Sequence, residues 1–204
     1  MEGQVVGVDL DNTIICYDGL FHRLAVERGL VSFGFQPSKK LIRDRIRERT
    51  DGEIEWQKLQ AEAYGPRIGE ASVFPGVRDF FETASARGVR TFIVSHKTRH
   101  ASYGPPGVSL REAAVGFLRA EGLLDCLRDQ DTDVFFADTR SGKCRRIETL
   151  CCATFVDDLL ETFREPEFPR MTERLLFDPL NVYSESLPER RFASWAAITK
   201  HVFD

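Results

Sequence analysis

Five short runs of apolar residues along the chain have the length and composition of buried β-strands. Each run is rich in β-branched or aromatic residues and is bounded by polar or turn-forming residues. The predicted strands are Val5–Leu10, Val89–Ser95, Val134–Ala137, Ala153–Val156 and Arg174–Phe177. Runs of this kind are typical of strands that are covered on both faces of a sheet.

Segments with a helical repeat of apolar positions separate most of these runs. Apolar residues recur at i, i+3, i+4 and i+7 from Val77 to Ala84, and again from Leu110 to Leu118. A further helix is expected to begin at Thr139 or Ser141 and to run to about Leu150. The alternation of strand and helix predicts an α/β fold, with a doubly wound, mainly parallel sheet of five strands and helices on both faces.

The stretch after the first predicted strand breaks this alternation. It has apolar positions at helical spacing and no clear strand, and we interpret residues 16–73 as a small helical insertion. Residues 1–15 and 74–204 would then form the α/β core. After Pro179 the sequence predicts a loop and then a short helix around Phe192–Val202.

The composition is that of an ordinary globular protein with a slight acidic excess. The 204 residues include 28 Lys and Arg against 32 Asp and Glu, which gives a formal net charge of −4 at pH 7. This balance provides no general attraction to nucleic acid or acidic membranes, so we expect neither as a partner. Five cysteines without a metal-binding spacing, and an N-terminus without a signal-like apolar run, favour a cytoplasmic protein. No segment has the ~18 uninterrupted apolar residues of a transmembrane helix.

Two carboxylates stand where the first predicted strand ends, in the sequence Asp9-Leu10-Asp11-Asn12-Thr13. Side chains at i and i+2 of a strand point to the same side, so Asp9 and Asp11 would lie together. Neighbouring carboxylates repel unless they share a proton or a cation, and an oxygen-rich place of this kind suits Mg²⁺. A polar strand end with an Asx turn is the simpler alternative.

Polar residues with complementary chemistry follow three of the other predicted strands. They are Ser95, His96 and Lys97 at the second strand, Lys143 near the start of the helix after the third, and Asp157-Asp158 at the fourth. A hydroxyl and a lysine can bind phosphate oxygens, and an acid pair can bind a cation. Each residue alone also fits a loop, a helix cap or a solvated surface. Because ligands bind at the carboxyl ends of parallel strands, their joint occurrence predicts phosphoryl-transfer chemistry.

Together these residues resemble the motifs of the haloacid dehalogenase (HAD) superfamily, in its phosphatase branch. The first motif, DxDx[TV], is similar to Asp9–Thr13, and the acid pair of the fourth is similar to Asp157-Asp158. The second and third motifs, a Ser or Thr and a Lys or Arg, are similar to Ser95 and Lys143. The resemblance covers about residues 4–180, and the helical insertion has the position of that family's cap.

The resemblance implies roles for the four acids. Asp9 would be the nucleophile that forms an aspartyl-phosphate, and Asp11 would protonate the leaving group and then activate water. The cofactor would be Mg²⁺, held by the Asp9 carboxylate, the Asp11 main-chain carbonyl and Asp157. Asp158 would be a supporting or alternative ligand of the metal.

The resemblance also implies a phosphate site. Ser95 and Lys143 would hold the phosphoryl oxygens, together with main-chain N–H groups of Asn12 and His96. Lys97 is an open alternative to Lys143 for the role of the phosphate-binding lysine.

The implied activity is Mg²⁺-dependent hydrolysis of a phosphomonoester. The expected substrate is a small phosphorylated metabolite, such as a sugar phosphate or a nucleotide. Two alternatives stay open: a phosphomutase that uses the same aspartyl-phosphate, and a binding protein that keeps the fold without turnover. Dehalogenase chemistry is disfavoured, since the dehalogenases of the family lack the second Asp.

Overall fold

The computed structural model describes residues 4–183 and 190–204. The strands in these ranges are β1 (Val5–Val8), β2 (Ile15–Cys16), β3 (Ser72–Val73), β4 (Arg90–His96), β5 (Val134–Ala137), β6 (Thr154–Asp157), β7 (Glu173–Phe177) and β8 (Arg190–Phe192). The α-helices are α1 (Asp18–Glu27), α2 (Lys39–Arg47), α3 (Gly52–Tyr64), α4 (Val77–Ala86), α5 (Leu110–Ala120), α6 (Arg140–Thr149), α7 (Leu160–Phe163) and α8 (Trp195–Phe203). In this part of the chain, every helix is too short or too polar to cross a membrane.

Six strands form one sheet in the order β5-β4-β1-β6-β7-β8, and every neighbouring pair is parallel. From β1 the chain adds β4 and β5 on one side, and then β6, β7 and β8 on the other. This is a doubly wound α/β topology, so the predicted fold class is confirmed. The order reverses at β1, and the carboxyl end of β1 is therefore the place where such sheets bind ligands.

The predicted number of five sheet strands is wrong by one. The sixth is β8, which runs parallel to β7 through pairs such as Phe177 with Phe192. Arg190 and Arg191 are exposed, so this short edge strand has no apolar run from which it could be predicted. The loop predicted after Pro179 includes residues 184–189, which lie outside the described ranges. The helix predicted near Phe192–Val202 is confirmed as α8.

Two further short strands lie in the stretch that the sequence analysis expected to be free of strands. They are β2 and β3, which pair with one another in a separate two-stranded sheet. Strands of two residues are too short to produce a period-two pattern, so the sequence contains no signal for them.

Helices cover both faces of the large sheet. On one face, Ile147 of α6 belongs to the same buried cluster as Phe155 of β6 and Leu176 of β7. On the other face, the ring of Trp195 in α8 lies 5.8 Å from the ring of Phe177. Leu176 and Phe177 are successive residues of one strand and therefore point to opposite faces.

Gly7 allows unusually close packing on the backbone of β1. A Cβ atom at this position would lie 2.5 Å from Cδ2 of Phe155 and 2.9 Å from Sγ of Cys152. Both distances are far below van der Waals contact, so a larger residue would displace the neighbouring strand's side chain. The glycine thus lets the Phe155 side chain pack directly against the backbone of β1.

The chain divides into two compact units. The sheet unit comprises Met1–Ile14, Val73–Lys97 and Leu118–Asp204, and the helical unit comprises Ile15–Ser72 and Thr98–Phe117. The helical unit thus contains the predicted insertion and also residues 98–117, which the sequence analysis assigned to the core. The assignment of residues 16–73 as a cap stays a prediction.

Residues 98–117 form a closed loop and the helix α5, and the loop packs against the end of α3. The backbone N–H of Leu110 donates a hydrogen bond to the Arg99 carbonyl at 2.8 Å, which closes the loop before α5. At the end of α3, a Cβ atom on Gly65 would lie 3.1 Å from the Val108 side chain. The rings of Phe21 and Trp56 stack with centroids 4.8 Å apart and form part of this unit's own core.

Candidate active site

The turn that follows β1 presents the first pair of acids. The backbone N–H of Asp9 still donates to the Val156 carbonyl of β6 at 2.9 Å, so the side chain of Asp9 emerges where the two strands end. Asn12 has a positive φ of 61°, a conformation that Asn adopts more readily than most residues. The turn closes with a hydrogen bond of 3.0 Å from the Ile14 N–H to the Leu10 carbonyl.

Lys143 forms ion pairs with one carboxylate at the end of β1 and one at the end of β6. Its Nζ atom lies 2.5 Å from Oδ1 of Asp9 and 2.6 Å from Oδ2 of Asp157. Lys143 and both carboxylates are buried. The lysine lies in the first turn of α6. Thr139 caps this helix by accepting a hydrogen bond from the Gly142 N–H at 3.0 Å. The sequence predicted Thr139 or Ser141 as the cap, and the structure shows that it is Thr139.

Asp158 completes a group of three carboxylates. Oxygen atoms of Asp9, Asp157 and Asp158 all lie within 4.8 Å of one another. The hydroxyl of Thr13 is 3.4 Å from Oδ2 of Asp9 and 3.5 Å from Oδ1 of Asp158, so it bridges the two acid motifs. Asp157 also accepts a hydrogen bond from the Leu159 N–H at 2.9 Å, which turns the chain after β6.

Asp11 belongs to a separate, partly buried ion pair. Its Oδ2 atom lies 2.8 Å from Nζ of Lys97, and the Lys97 side chain is only 3% exposed. The structure therefore divides the two candidate lysines between the two acids of the first motif: Lys143 contacts Asp9, and Lys97 contacts Asp11. The Asp11 carboxylate lies outside the group of three carboxylates.

Ser95 and His96 lie at the carboxyl end of β4, the strand next to β1. Ser95 is buried and stands two residues beyond Ile93, which pairs with the last residue of β1. The His96 ring is within hydrogen-bond distance of the Asp138 carbonyl, with Nε2 at 3.1 Å. Partial burial lowers the pKa of His96, and the positive charges of Lys143 and Arg140 act in the same direction.

The electrostatics of the site show a surplus of negative charge. Burial raises the pKa of Asp9 to about 7; the ammonium of Lys143 opposes this rise, and the carboxylate of Asp157 adds to it. Burial alone would lower the pKa of Lys143, but Asp157 and Asp9 together raise it above its usual value. Lys143 therefore stays charged, while Asp9 becomes unusually easy to protonate.

The donor set fits a divalent cation. Three carboxylates lie close together in a largely buried, oxygen-rich place, and Lys143 contacts two of them. Hard divalent cations such as Mg²⁺ take carboxylate oxygens as ligands. A cation of charge +2 would favour the ionised form of Asp9, which burial and the Asp157 carboxylate otherwise disfavour.

All of the site residues proposed from the sequence lie in the sheet unit, at or just after the ends of β1, β4 and β6 or in the first turn of α6. The contacts of Thr13 were not predicted from the sequence, although this residue is part of the first motif. Trp195 was not predicted either; its Nε1–H donates to the Thr13 carbonyl at 2.9 Å. Trp195 is far away along the chain, and no local pattern signals this contact.

Comparison with known proteins identifies the fold. No family model and no curated protein matches the sequence. Among solved structures, the HAD-hydrolase YfnB from Bacillus subtilis, bound to magnesium, superposes with a TM-score of 0.60 at 12% identity and covers 100% of both chains. CbbY from Rhodobacter sphaeroides, in complex with phosphate, gives a TM-score of 0.55 at 14% identity over 96% of both chains.

A third similar structure is described as a phosphoglycolate phosphatase from Lactobacillus plantarum. It has a TM-score of 0.57 at 14% identity, and the match covers 98% of this chain and 99% of the other chain. The chain has the fold of the HAD-superfamily hydrolases, and the resemblance noted in the sequence is confirmed for the fold.

Proposed function

We propose that the chain is a Mg²⁺-dependent phosphomonoester hydrolase that acts through an aspartyl-phosphate on a small phosphorylated metabolite. The observation that carries this proposal is the group of Asp9, Asp157 and the partly buried Asp158, with Lys143 between the first two. A nucleophilic carboxylate, a cation site and a phosphate-binding lysine are the parts that phosphoryl transfer requires.

Asp9 is the proposed nucleophile. One of its carboxylate oxygens attacks phosphorus, a bond forms between that oxygen and phosphorus, and the bond from phosphorus to the ester oxygen breaks. A carboxylate is a poor nucleophile towards an anionic phosphate because like charges repel. Lys143 offsets this repulsion, and Ser95 with the main-chain N–H groups of Asn12 and His96 would orient the phosphoryl oxygens.

Asp11 is the proposed acid and base. It gives a proton to the departing ester oxygen, and it later takes a proton from the water that attacks the phosphorus of the aspartyl-phosphate. This second step releases inorganic phosphate and restores Asp9. Lys97, 2.8 Å from the Asp11 carboxylate, holds that carboxylate in place between the two steps.

Asp9, Asp157 and Asp158 would hold Mg²⁺ through their side chains, with the main-chain carbonyl of Asp11 as a further ligand. The bound Mg²⁺ would neutralise charge on the phosphoryl group as it is transferred. The magnesium bound to YfnB and the phosphate bound to CbbY support this assignment by fold similarity.

The helical unit is the proposed cap that selects the substrate, and the cytoplasm is the proposed compartment. The cytoplasmic assignment is consistent with the five cysteines, all of which are free. In this proposal the substrate is a small phosphorylated molecule, and neither nucleic acid nor a membrane is a partner.

The decisive experiment is phosphate release from a panel of sugar phosphates and nucleotides, with Mg²⁺ and with EDTA. Wild type, Asp9→Asn and Asp44→Asn are compared in parallel. Asp44 is an exposed acid of α2, so Asp44→Asn is a matched control for the same chemical change. We expect Mg²⁺-dependent release that Asp9→Asn reduces by at least about 10³-fold and Asp44→Asn preserves.

Other outcomes would replace this function with another. Retained release in Asp9→Asn would remove Asp9 as the nucleophile. Transfer of phosphate between sugar positions without net release would indicate a phosphomutase. Mg²⁺ binding without turnover of any panel member would favour a binding protein that keeps the fold.

A further inference from the structure

A tyrosine in the segment after β7 contacts the backbone of the second acid motif. The hydroxyl of Tyr183 accepts a hydrogen bond from the Leu160 N–H at 3.3 Å and donates one to the Asp158 carbonyl at 3.3 Å. These two contacts span the turn between β6 and α7. The same turn carries Asp157 and Asp158, two of the three carboxylates that face the proposed cation site.

Asp178 holds this tyrosine in position. Asp178 follows β7 directly and is buried, and its backbone N–H donates to the Phe192 carbonyl of β8 at 2.8 Å. Its carboxylate accepts hydrogen bonds from the Val182 N–H at 2.8 Å and from the Tyr183 N–H at 3.2 Å. A buried carboxylate with several partners of this kind makes a rigid turn.

Arg191 of β8 strengthens the same turn. Its guanidinium lies 3.6 Å from the Asp178 carboxylate and also donates a hydrogen bond to the Tyr183 carbonyl. The edge of the sheet is therefore connected to the acid turn through a continuous set of contacts from Arg191 and Asp178 to Tyr183.

We propose that Tyr183, supported by Asp178, is a positioning residue that holds the Asp157–Asp158 turn in the geometry needed to bind the divalent cation. This inference rests on the proposed function, because it assigns Asp157 and Asp158 to the cation. Groups that orient metal ligands without touching the metal typically change the affinity by roughly 10–100-fold when they are removed. The Tyr183 hydroxyl acts on the backbone of the turn, whereas Thr13 acts on the carboxylates themselves.

The test is direct titration of the full chain with Mg²⁺ by calorimetry, without substrate. Tyr183→Phe removes the hydroxyl and keeps the ring. Tyr103→Phe makes the same change at an exposed tyrosine of the helical unit and serves as the matched control. We expect the Kd for Mg²⁺ to rise about tenfold in Tyr183→Phe and to stay unchanged in Tyr103→Phe.

Two further measurements separate positioning from a general loss of structure. In EDTA, the unfolding temperature of Tyr183→Phe should stay close to that of wild type. Adding Mg²⁺ should raise the unfolding temperature of Tyr183→Phe by less than it raises that of wild type. Phosphate release by Tyr183→Phe at low Mg²⁺ should recover as the Mg²⁺ concentration is raised. Asp178→Asn keeps one acceptor for the turn, so it should shift the Kd in the same direction by a smaller factor.

The outcomes distinguish this inference from the proposed function. If wild type and Tyr183→Phe bind Mg²⁺ equally well, the positioning role is wrong and the proposed function stands. If both Tyr183→Phe and Asp178→Asn lose their fold in EDTA, the two residues are structural and the positioning role is again wrong. If wild type itself binds no Mg²⁺, the cation site of the proposed function fails and this inference fails with it.

Discussion

Arg67 and Lys143 each contact several carboxylates, but in surroundings of opposite character. In the helical unit, Arg67 lies 2.6 Å from Glu70 and 3.5 Å from Glu62 and also pairs with Glu27. Arg23 and Arg28 pair with Glu70 and Glu62 in turn, so three cations face three anions. In the sheet unit, Lys143 contacts both Asp9 and Asp157, and the carboxylate of Asp158 lies beside them.

The pKa values follow this difference in balance and burial. Hydrogen bonds from Arg67 lower the pKa values of Glu27 and Glu70, which are exposed to solvent. Burial raises the pKa of Asp9 to about 7 in spite of Lys143. Charge that is matched and solvated stabilises a surface only weakly. Buried charge that is left in surplus destabilises the fold unless a ligand compensates it, and it therefore indicates a functional site.

The largest effect should come from removing the cation of the buried group. Lys143→Met keeps the length of the side chain and removes its charge. We expect phosphate release to fall about 10²–10³-fold, because the repulsion between Asp9 and the phosphate is no longer offset. Without metal, the variant should also lose roughly 3–5 kcal/mol of unfolding free energy, since buried carboxylates lose their partner. Phosphate assays and thermal unfolding with and without Mg²⁺ measure both effects.

Mg²⁺ should restore part of the stability of Lys143→Met, because it supplies the missing positive charge. Activity close to that of wild type would contradict the role of Lys143 at the phosphate.

A smaller loss should follow from the same change at the other buried lysine. Lys97→Met removes the partner of Asp11 and leaves the pair between Lys143 and Asp9 intact. We expect phosphate release to fall about tenfold, through poorer placement of the acid and base. The two lysine variants are assayed side by side. A larger loss in Lys97→Met than in Lys143→Met would transfer the phosphate-binding role to Lys97.

The surplus charge should also appear in the pH dependence of stability. An Asp whose pKa is raised on folding favours the protonated state, so its contribution to stability is lost as pH rises from about 4 towards 7. In EDTA, the unfolding temperature of wild type should therefore fall relative to that of Asp9→Asn over this interval. Saturating Mg²⁺ should reduce the difference between the two proteins. A constant difference across the interval would mean that Asp9 ionises normally.

The smallest effect is expected at the balanced network of the helical unit. Arg67→Ala should lower the unfolding temperature by no more than about 2 °C, since ion pairs that solvent can reach contribute little. The loss should shrink further in high salt, because screening already weakens these pairs. Phosphate release should be unchanged. A loss of stability as large as that in Lys143→Met would show that matched surface pairs matter as much as buried ones.

The strands were predictable where burial on both faces had left an apolar run. Val134–Ala137 is reproduced without change as β5, and the other four predicted runs differ from the observed strands by no more than two residues at either end. The strand β8 was not predictable, because Arg190 and Arg191 provide no apolar signal. Its position depends on hydrogen bonds to β7 and on the contact between Arg191 and Asp178.

The candidate site was predictable as a set of residue types but not as a set of contacts. The order of strands and polar residues predicts which residue types gather at the site. They are acids, a hydroxyl and two lysines, placed at strand ends and at the start of one helix. The pairing of Lys97 with Asp11 could not, since either lysine had the length and charge to serve the phosphate. The contacts of the Tyr183 hydroxyl with the turn after β6 could not be predicted either, because nothing near Tyr183 in the sequence resembles a motif.

The sequence by itself therefore determined the α/β class, the carboxyl ends at which polar residues gather, and the acids present there. These features follow from local periodicity and from the chemistry of individual side chains. Only the tertiary structure decided which groups meet: Lys143 and Asp9 are 134 residues apart along the chain, yet their charged atoms are separated by 2.5 Å. Such contacts depend on the order and register of the strands, which arise from packing over the whole sheet.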